Sequence, residues 1–345
     1  MNELFSGIGS QTKALQRASI SHIITGISEI DEPAIRSYTA IYGNTYNYGD
    51  ISKVDSLKQA DFWTYSFPCT DISKDGKMEG ITESTRSGLI LQVERLLRVA
   101  QDKGELPMYL MLENVATLAS KRFKGFLAGW IQFLSDLGYD TDYKVINAST
   151  QGIPQNRDRI IAVSKLRAGG GLHNFEFPQN IPLRVSLDEI MEKNVDDRYY
   201  VELEKYKDII SIVNGKVYIN QTSFIGKIVL TKSFNQQVLK DFIEMDPCGI
   251  CDVIYPTSKT RRGRIQGGGK ICPTLTASVQ GLLYFDEEYR ARQLTGLENW
   301  RLMGFDDRDY FLAKEAGVSE AQLIKQAGNS IVVDVLERVF INLFK

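Results

Sequence analysis

Asp61-Phe-Trp-Thr-Tyr-Ser-Phe-Pro-Cys-Thr-Asp-Ile-Ser73 is an apolar run, rich in aromatic residues, that stops at Pro68 and puts Cys69 directly after it. Such a run suits a parallel strand covered on both faces, and Pro68, which cannot donate to a sheet ladder, ends it. Cys69 is thereby expected at the carboxyl edge of the sheet, where open α/β sheets bind ligands. The alternative, one more buried thiol packing as a small hydrophobe, has to be weighed against the rest of the chain.

Around that run, residues 1–166 alternate strand-like and helix-like segments. Leu4-Phe5 runs into Ser6-Gly-Ile-Gly-Ser10 and a helix through Leu15; His22–Ser28 is a second strand ending in Glu29. A third short strand is expected to end near Gly49-Asp50-Ile51. After the Cys69 strand, residues 73–87 are rich in Gly, Lys, Ser and Thr and read as a mobile loop. Leu89, Val93, Leu96, Leu97 and Ala100 recur at helical spacing. Met108–Leu112 is a buried strand delivering Glu113-Asn114. A helix around 123–137 precedes strands at 143–148 and 159–163. Alternation of this kind predicts a doubly wound, mostly parallel sheet.

From about residue 167 the pattern changes. Gly169–Gly171, Pro178 and Pro182 read as a linker, and the following 120 or so residues mix short strands with turns. The expected division is a catalytic, cofactor-binding domain at 1–180 completed by 310–345, with a smaller strand-rich recognition domain and hinge at 181–309. Near the end, Gln326–Phe340 is expected to turn through Gly328-Asn329 into an amphipathic helix that docks back on the sheet.

Composition narrows the class. The chain has 345 residues, 43% hydrophobic and 24% charged, enough for a large domain and a smaller one. No stretch approaches the roughly 20 apolar residues of a membrane span, and Met1–Phe5 lacks the regions of a secretion signal, so a cytoplasmic location is expected. Four cysteines are too few for a disulfide framework. A net charge of −2 gives no global sign of nucleic acid, so such binding would need a local patch.

Several residues carry chemistry in their pattern. Phe5-Ser6-Gly7-Ile8-Gly9 sits at a strand-to-helix turn where glycine lets the backbone approach a ligand. Glu29 follows at the offset from which a carboxylate reaches ribose hydroxyls, and Asp50 ends the next segment. The missing third glycine argues against a nicotinamide cofactor and for an adenosyl group without pyrophosphate. Cys69 and Glu113, at the ends of neighbouring strands, would form a nucleophile and an acid able to converge on one planar substrate. Arg157 and Arg159 add two guanidinium groups, unless they form a surface ladder with Asp158. Lys259–Lys270 holds five basic residues, no acid and several glycines, fit for phosphate and base edges. Cys248 and Cys251 lack the partners of a zinc site, and no metal is expected.

Taken in order, these residues resemble the cytosine-5 DNA methyltransferase family. The matches are Phe5-Ser-Gly-Ile-Gly9, Glu29, Gly49-Asp-Ile51, Phe67-Pro-Cys69, Glu113-Asn-Val115, Gln155-Asn-Arg-Asp-Arg159, Arg292-Gln-Leu-Thr with Glu298, Arg301-Leu-Met-Gly-Phe305 and Gln326-Ala-Gly-Asn-Ser330. They span the chain apart from 167–285. Departures are Ile30 where the family often has an aromatic and Thr70 where it often has Gln. The resemblance implies methyl transfer from S-adenosylmethionine to carbon 5 of a cytosine flipped out of duplex DNA, through a covalent Cys69 adduct, with Glu113 at nitrogen 3 and Arg157 and Arg159 beside the base. It implies a cofactor site of Phe5, Ser6, Gly7, Ile8, Gly9, Glu29, Ile30, Asp50, Ile51, Pro68, Leu89, Asn329 and Ser330. For DNA contact the candidates are Arg261, Arg262, Arg264, Gln266 and Lys270, with Thr274-Leu275 supporting the flipped nucleotide. Residues 73–87 would close over the base, hinged at Gly76 and Gly80. A monomer is expected, of restriction-modification, orphan or phage type, with a cognate restriction endonuclease as an optional partner. Transfer-RNA methylation by the same chemistry is disfavoured because Pro273, not Phe, follows Cys272. A silent DNA-binding regulator would be expected to lose Cys69 or Glu113, and both are present.

Overall fold

The computed structural model describes residues 1–68, 86–202, 210–213, 216–220, 224–225, 242–244, 248–254, 262–277, 282–288 and 290–345, with the backbone alone at 86, 210–213, 216–220, 224–225, 242–244, 251–254 and 262–268. Cys69, Arg261 and residues 73–85 of the expected lid, with its hinges Gly76 and Gly80, lie outside the described residues.

The amino-terminal part contains β1 (Asn2–Leu4), α1 (Ser10–Arg17), β2 (Gly26–Ser28), α2 (Glu32–Tyr42), β3 (Phe62–Tyr65), α3 (Ile90–Lys103), β4 (Tyr109–Val115), α4 (Lys124–Asp136), β5 (Tyr139–Asn147) and β6 (Asp158–Leu166). They form one six-stranded sheet in the order β2-β1-β3-β4-β6-β5. β1 to β4 are parallel, whereas β6 is antiparallel to both its neighbours. The sheet is thus mostly parallel, as the alternation of elements predicts. Its strand order reverses between β1 and β3, and the crevice above that switch point is where such sheets accept ligands.

The period of two along the strands explains why their sequences are apolar throughout. Phe62, Met111, Ile161 and Val163 face one core, with Phe340 and Leu336 of the last helix. Trp63, Tyr65, Leu110, Leu112, Ile160 and Ala162 face the other, with Val93, Leu97, Trp130 and Leu134 of α3 and α4. Alternate side chains therefore find a covered apolar surface on each side.

Two expectations need correction. No strand ends at Gly49-Asp50: Asn47 makes only an isolated bridge to Ile27, and Asp50 caps a short 3₁₀ turn at Ile51–Lys53. The Asn47 side-chain carbonyl accepts from the amides of Glu29 and Gly49, and Gly49 takes φ +72°, so the chain turns rather than extending the sheet. Glu113 and Asn114 lie inside β4, because pairing with β6 carries the strand on to Val115.

After α5 (Leu187–Ile190) come short strands: β7 (Ile210–Val213), β8 (Lys216–Asn220), β9 (Phe224–Ile225), β10 (Phe242–Glu244), β11 (Ile250–Ile254), β12 (Arg262–Gly269), β13 (Leu282–Phe285) and β14 (Ala291–Arg292). They build two antiparallel sheets, β10-β8-β7 and β14-β13-β11-β12-β9. The chain returns through α6 (Gly296–Leu302), α7 (Asp307–Glu315), α8 (Glu320–Asn329) and α9 (Val333–Leu343). Gln326–Asn329 is the last turn of α8, and the amphipathic helix beginning four residues later is α9. That helix docks on the sheet, its Phe340 ring 5.6 Å from Phe62. At the junction, the guanidinium of Arg292 donates to both carboxylate oxygens of buried Glu298, at 2.8 and 2.6 Å, and Glu298 also closes the capping box of α6.

Candidate active site

A cavity of about 440 Å³ opens above the switch point. Phe5, Ser6, Gly7 and Ile8 enter it from the turn after β1, Glu29 and Ile30 from the end of β2, and Asp50 and Ile51 from the 3₁₀ turn. Pro68 follows β3, Leu89 precedes α3, Glu113 belongs to β4, Arg157 and Arg159 flank the start of β6, and Asn329 and Ser330 end α8; all of these line the cavity.

The turn after β1 is tight because Phe5, Gly7 and Gly9 take φ of +57°, +54° and +80°. Gly7 N–H donates to Glu29 Oε2 at 2.9 Å, while Ile30 and Asp31 amides donate to Oε1 at 2.8 and 2.9 Å. Three backbone donors thus aim this carboxylate and leave about one of its four lone-pair sites for a ligand. Ile30, 69% exposed, offers an apolar face beside it. Gly9 does not line the cavity. It lies under it, where a Cβ would collide with the rings of Tyr42 and Tyr38. Asp50 Oδ1 accepts from the amide and hydroxyl of Ser52, which holds its carboxyl below the usual range.

On the opposite wall, Glu113 is buried, and Arg159 Nε stands 3.1 Å from its Oε1. Desolvation pushes the Glu113 carboxyl above its ordinary range, although Arg159, Arg157 and Ser66 pull the other way. Asn114, on the other face of the strand, donates to the Phe67 carbonyl at 3.0 Å and so fixes the approach to Pro68. Ser87 donates to the Pro68 carbonyl at 2.9 Å.

Arg157 and Arg159 do not form a surface ladder. Arg157 is 3% exposed and spends its terminal nitrogens on the carbonyls of Leu275, Gly328 and Ser330. Thr274 Oγ1 donates to the Asn156 carbonyl and Leu275 N–H to Gln155 Oε1, so Thr274-Leu275 stands directly behind the site. Lys270 pairs with Asp188 at 2.8 Å. Arg262, Arg264 and Gln266 occupy alternate positions of β12.

Sequence reasoning missed Lys325 and Asp31, a cavity-lining ion pair at 3.2 Å. No spacing signals it, because its partners lie on α8 and before α2. Among the described residues no three or more His, Cys, Asp or Glu are grouped to hold a metal, and no helix is long and apolar enough to cross a membrane.

The model of the C-5 cytosine-specific DNA methylase family matches residues 1–345. The chain belongs to that family. This methylase is 31% identical to the type II methyltransferase M2.ScrFI of Lactococcus lactis subsp. cremoris, over 99% of the chain and 98% of that relative. It is 27% identical to the orphan methyltransferase M.SPBetaI of Bacillus phage SPbeta, over 98% and 95%. Its fold is similar to the crystal structure of the S. pombe Dnmt2 methyltransferase, with a TM-score of 0.67 at 19% identity, covering 99% and 97% of the two chains. It is likewise similar to a prophage DNA modification methyltransferase from E. coli, with a TM-score of 0.62 at 19% identity, covering 99% and 97%. The methylase is therefore a DNA (cytosine-5-)-methyltransferase, and its family implies a methyl donor of the S-adenosylmethionine type. The cavity suits such a donor: it has one oriented carboxylate, an exposed apolar side chain beside it, and glycine-bearing backbone where a ligand can approach closely.

Proposed function

We propose that the enzyme methylates carbon 5 of a cytosine flipped out of duplex DNA, using S-adenosylmethionine and a covalent adduct to Cys69. The observation that carries this is the convergence, on one cavity, of the Gly7–Glu29 corner and the Glu113–Arg159 pair, with Pro68 immediately before Cys69. Glu29 accepts a ribose hydroxyl, Ile30 packs on the adenine, and residues 5–8, Asp50, Ile51, Leu89, Asn329 and Ser330 enclose the rest. When bound, S-adenosylmethionine supplies a methyl group made electrophilic by its sulfonium.

The chain's own residues do the activation. Carbon 5 of cytosine is a weak nucleophile, so the Cys69 thiolate adds to carbon 6 and turns the ring into an enamine. A free thiol has a pKa of about 8.5, so a helix amino terminus or the Arg159 guanidinium beside it would help populate the thiolate. Glu113, whose hold on a proton burial strengthens, donates to nitrogen 3 as charge develops on the ring. Arg159 holds both Glu113 and the base oxygen. Arg157, its terminal nitrogens committed to carbonyls, shapes the wall. Once carbon 5 carries the methyl group, its proton passes to water, the electron pair left behind expels Cys69 as thiolate, and nitrogen 3 returns its proton to Glu113. The strand-rich region 181–309 is the recognition unit and hinge, with Arg261, Arg262, Arg264, Gln266, Lys270, Thr274 and Leu275 as its candidate DNA contacts, and the biological setting is restriction-modification or an orphan or phage methylation system.

The test uses duplex DNA in which 5-fluorocytosine replaces cytosine throughout, because fluorine blocks the final elimination. With S-adenosylmethionine the protein is expected to give an adduct that survives denaturation, and Cys69→Ser none. An adduct that persists in Cys69→Ser overturns the assignment.

A further inference from the structure

Three segments distant in sequence meet at Arg157. Its Nη1 donates to Leu275 O at 2.6 Å, and its Nη2 to Gly328 O and Ser330 O at 3.0 and 2.8 Å. Ser330 lines the cofactor cavity, whereas Leu275 belongs to the segment beside the recognition strands. Around this guanidinium the segment 272–276 is stapled to 154–157. Cys272 N–H donates to Pro154 O at 2.8 Å, Asn156 N–H to Cys272 O at 2.7 Å, and Thr274 Oγ1 to Asn156 O at 2.6 Å. Gly328 packs so closely on Thr276 that a Cβ there would collide with its backbone. A buried guanidinium gripping carbonyls on both sides transmits displacement, because each bond it loses leaves a polar atom unsatisfied.

We propose that Arg157 is a positioning residue: through it, filling the cofactor cavity fixes 326–330 and thereby sets the geometry of 272–276, so that cofactor and DNA bind cooperatively. This rests on the reading of the cavity as the cofactor site. By linkage the effect is reciprocal, and couplings of this kind run to about 5-fold or more.

Amide hydrogen exchange tests it without knowledge of the target sequence. Saturating S-adenosylhomocysteine, with no DNA, is expected to slow exchange at 5–9 and 29–31, and also at 272–276 by about 5-fold or more. Unmethylated plasmid DNA alone is expected to slow exchange at 326–330. In Arg157→Lys the slowing at 5–9 persists and that at 272–276 disappears. A merely structural arginine would raise exchange at 272–276 equally with and without S-adenosylhomocysteine, leaving their ratio unchanged, and that result overturns the proposal. If Arg157→Lys does not fold, the parent protein decides: slowing at 5–9 without slowing at 272–276 refutes the coupling. No slowing anywhere refutes the cofactor site itself.

Discussion

Arg159 and Glu113 are diagonal neighbours on antiparallel strands, their Nε and Oε1 atoms 3.1 Å apart and both side chains largely buried. The register sets Val115 opposite Arg159, so Glu113, two residues before Val115, shares its face of the sheet. Two opposing effects then act on one carboxyl. Burial raises its affinity for a proton, and the guanidinium lowers it, with burial the larger.

Glu113→Gln is expected to lower kcat by about 100-fold or more, the scale of a lost proton donor, and to leave S-adenosylhomocysteine affinity within about 3-fold. In the parent, kcat/KM is expected to fall on the alkaline side as the raised carboxyl ionises. Stopped assays of tritiated methyl incorporation across pH check both. A profile whose alkaline limb is unchanged in Glu113→Gln would assign that limb to another group.

A second carboxyl is buried away from the reaction. Glu3 on β1 accepts from Thr12 Oγ1 at 2.6 Å and Tyr38 Oη at 3.1 Å, while its Oε1 has no partner among the described residues. Desolvation raises it from 4.5 to about 7, although those hydroxyls stabilise the anion. The folded state therefore holds the proton more tightly than the unfolded one. Stability from this group is complete below 4.5, declines as pH rises and is lost above about 7, by about 3 kcal/mol. Urea unfolding at pH 5.5 and 8.5 is expected to show the parent losing stability toward pH 8.5 and Glu3→Gln losing less. Equal losses would mean that Glu3 ionises without cost.

The glycine turn gives a stability prediction of another kind. Gly9 combines a φ of +80° with rings packed against the site of its missing Cβ. Gly9→Ala is expected to cost about 1–2 kcal/mol for the backbone alone, more with the collision, and to lower Tm by several degrees. Gly7 has a similar φ but open space around it, so Gly7→Ala is expected to cost only the backbone part. Equal melting shifts for both would remove the packing argument.

The legible parts of this molecule are those decided within a few residues. Phe62–Phe67 reads as a buried strand because both faces are apolar, and Phe5–Gly9 reads as a ligand turn because glycines cluster where a strand gives way to a helix. Glu113 and Arg159 could be named separately, but their pairing depends on β6 running against β4, and alternation alone suggests a parallel neighbour. Arg157 reads as a group beside the base or as a rung of a surface ladder, and Gln155 only as part of a motif, because their partners, the carbonyls of Leu302, Leu275, Gly328 and Ser330, lie more than a hundred residues away. The Lys325–Asp31 pair escapes for the same reason.

The final prediction concerns where DNA sequence is read. Arg262, Arg264 and Gln266 recur every second residue of β12, whose pairing with β11 is regular from Arg264↔Ile254 to Gln266↔Asp252 before the ladder slips near Ile250 and Cys251. Residues at that spacing share one face of a strand. Each arginine can grip a phosphate or pair bidentately with guanine, and the two roles differ in what their loss does. Losing a phosphate grip weakens all DNA alike and flattens the salt dependence, whereas losing a base contact costs about 1–3 kcal/mol and relaxes one position of the site. At least one of Arg261→Ala, Arg262→Ala and Arg264→Ala is expected to broaden the context of methylated cytosines in bisulfite sequencing of DNA from expressing cells. Lys270→Ala, whose ammonium already pairs with Asp188, is expected to leave the context unchanged. If all three arginine variants keep the parental context and lose only overall affinity, the strand is an electrostatic clamp and the readers lie elsewhere between 185 and 290.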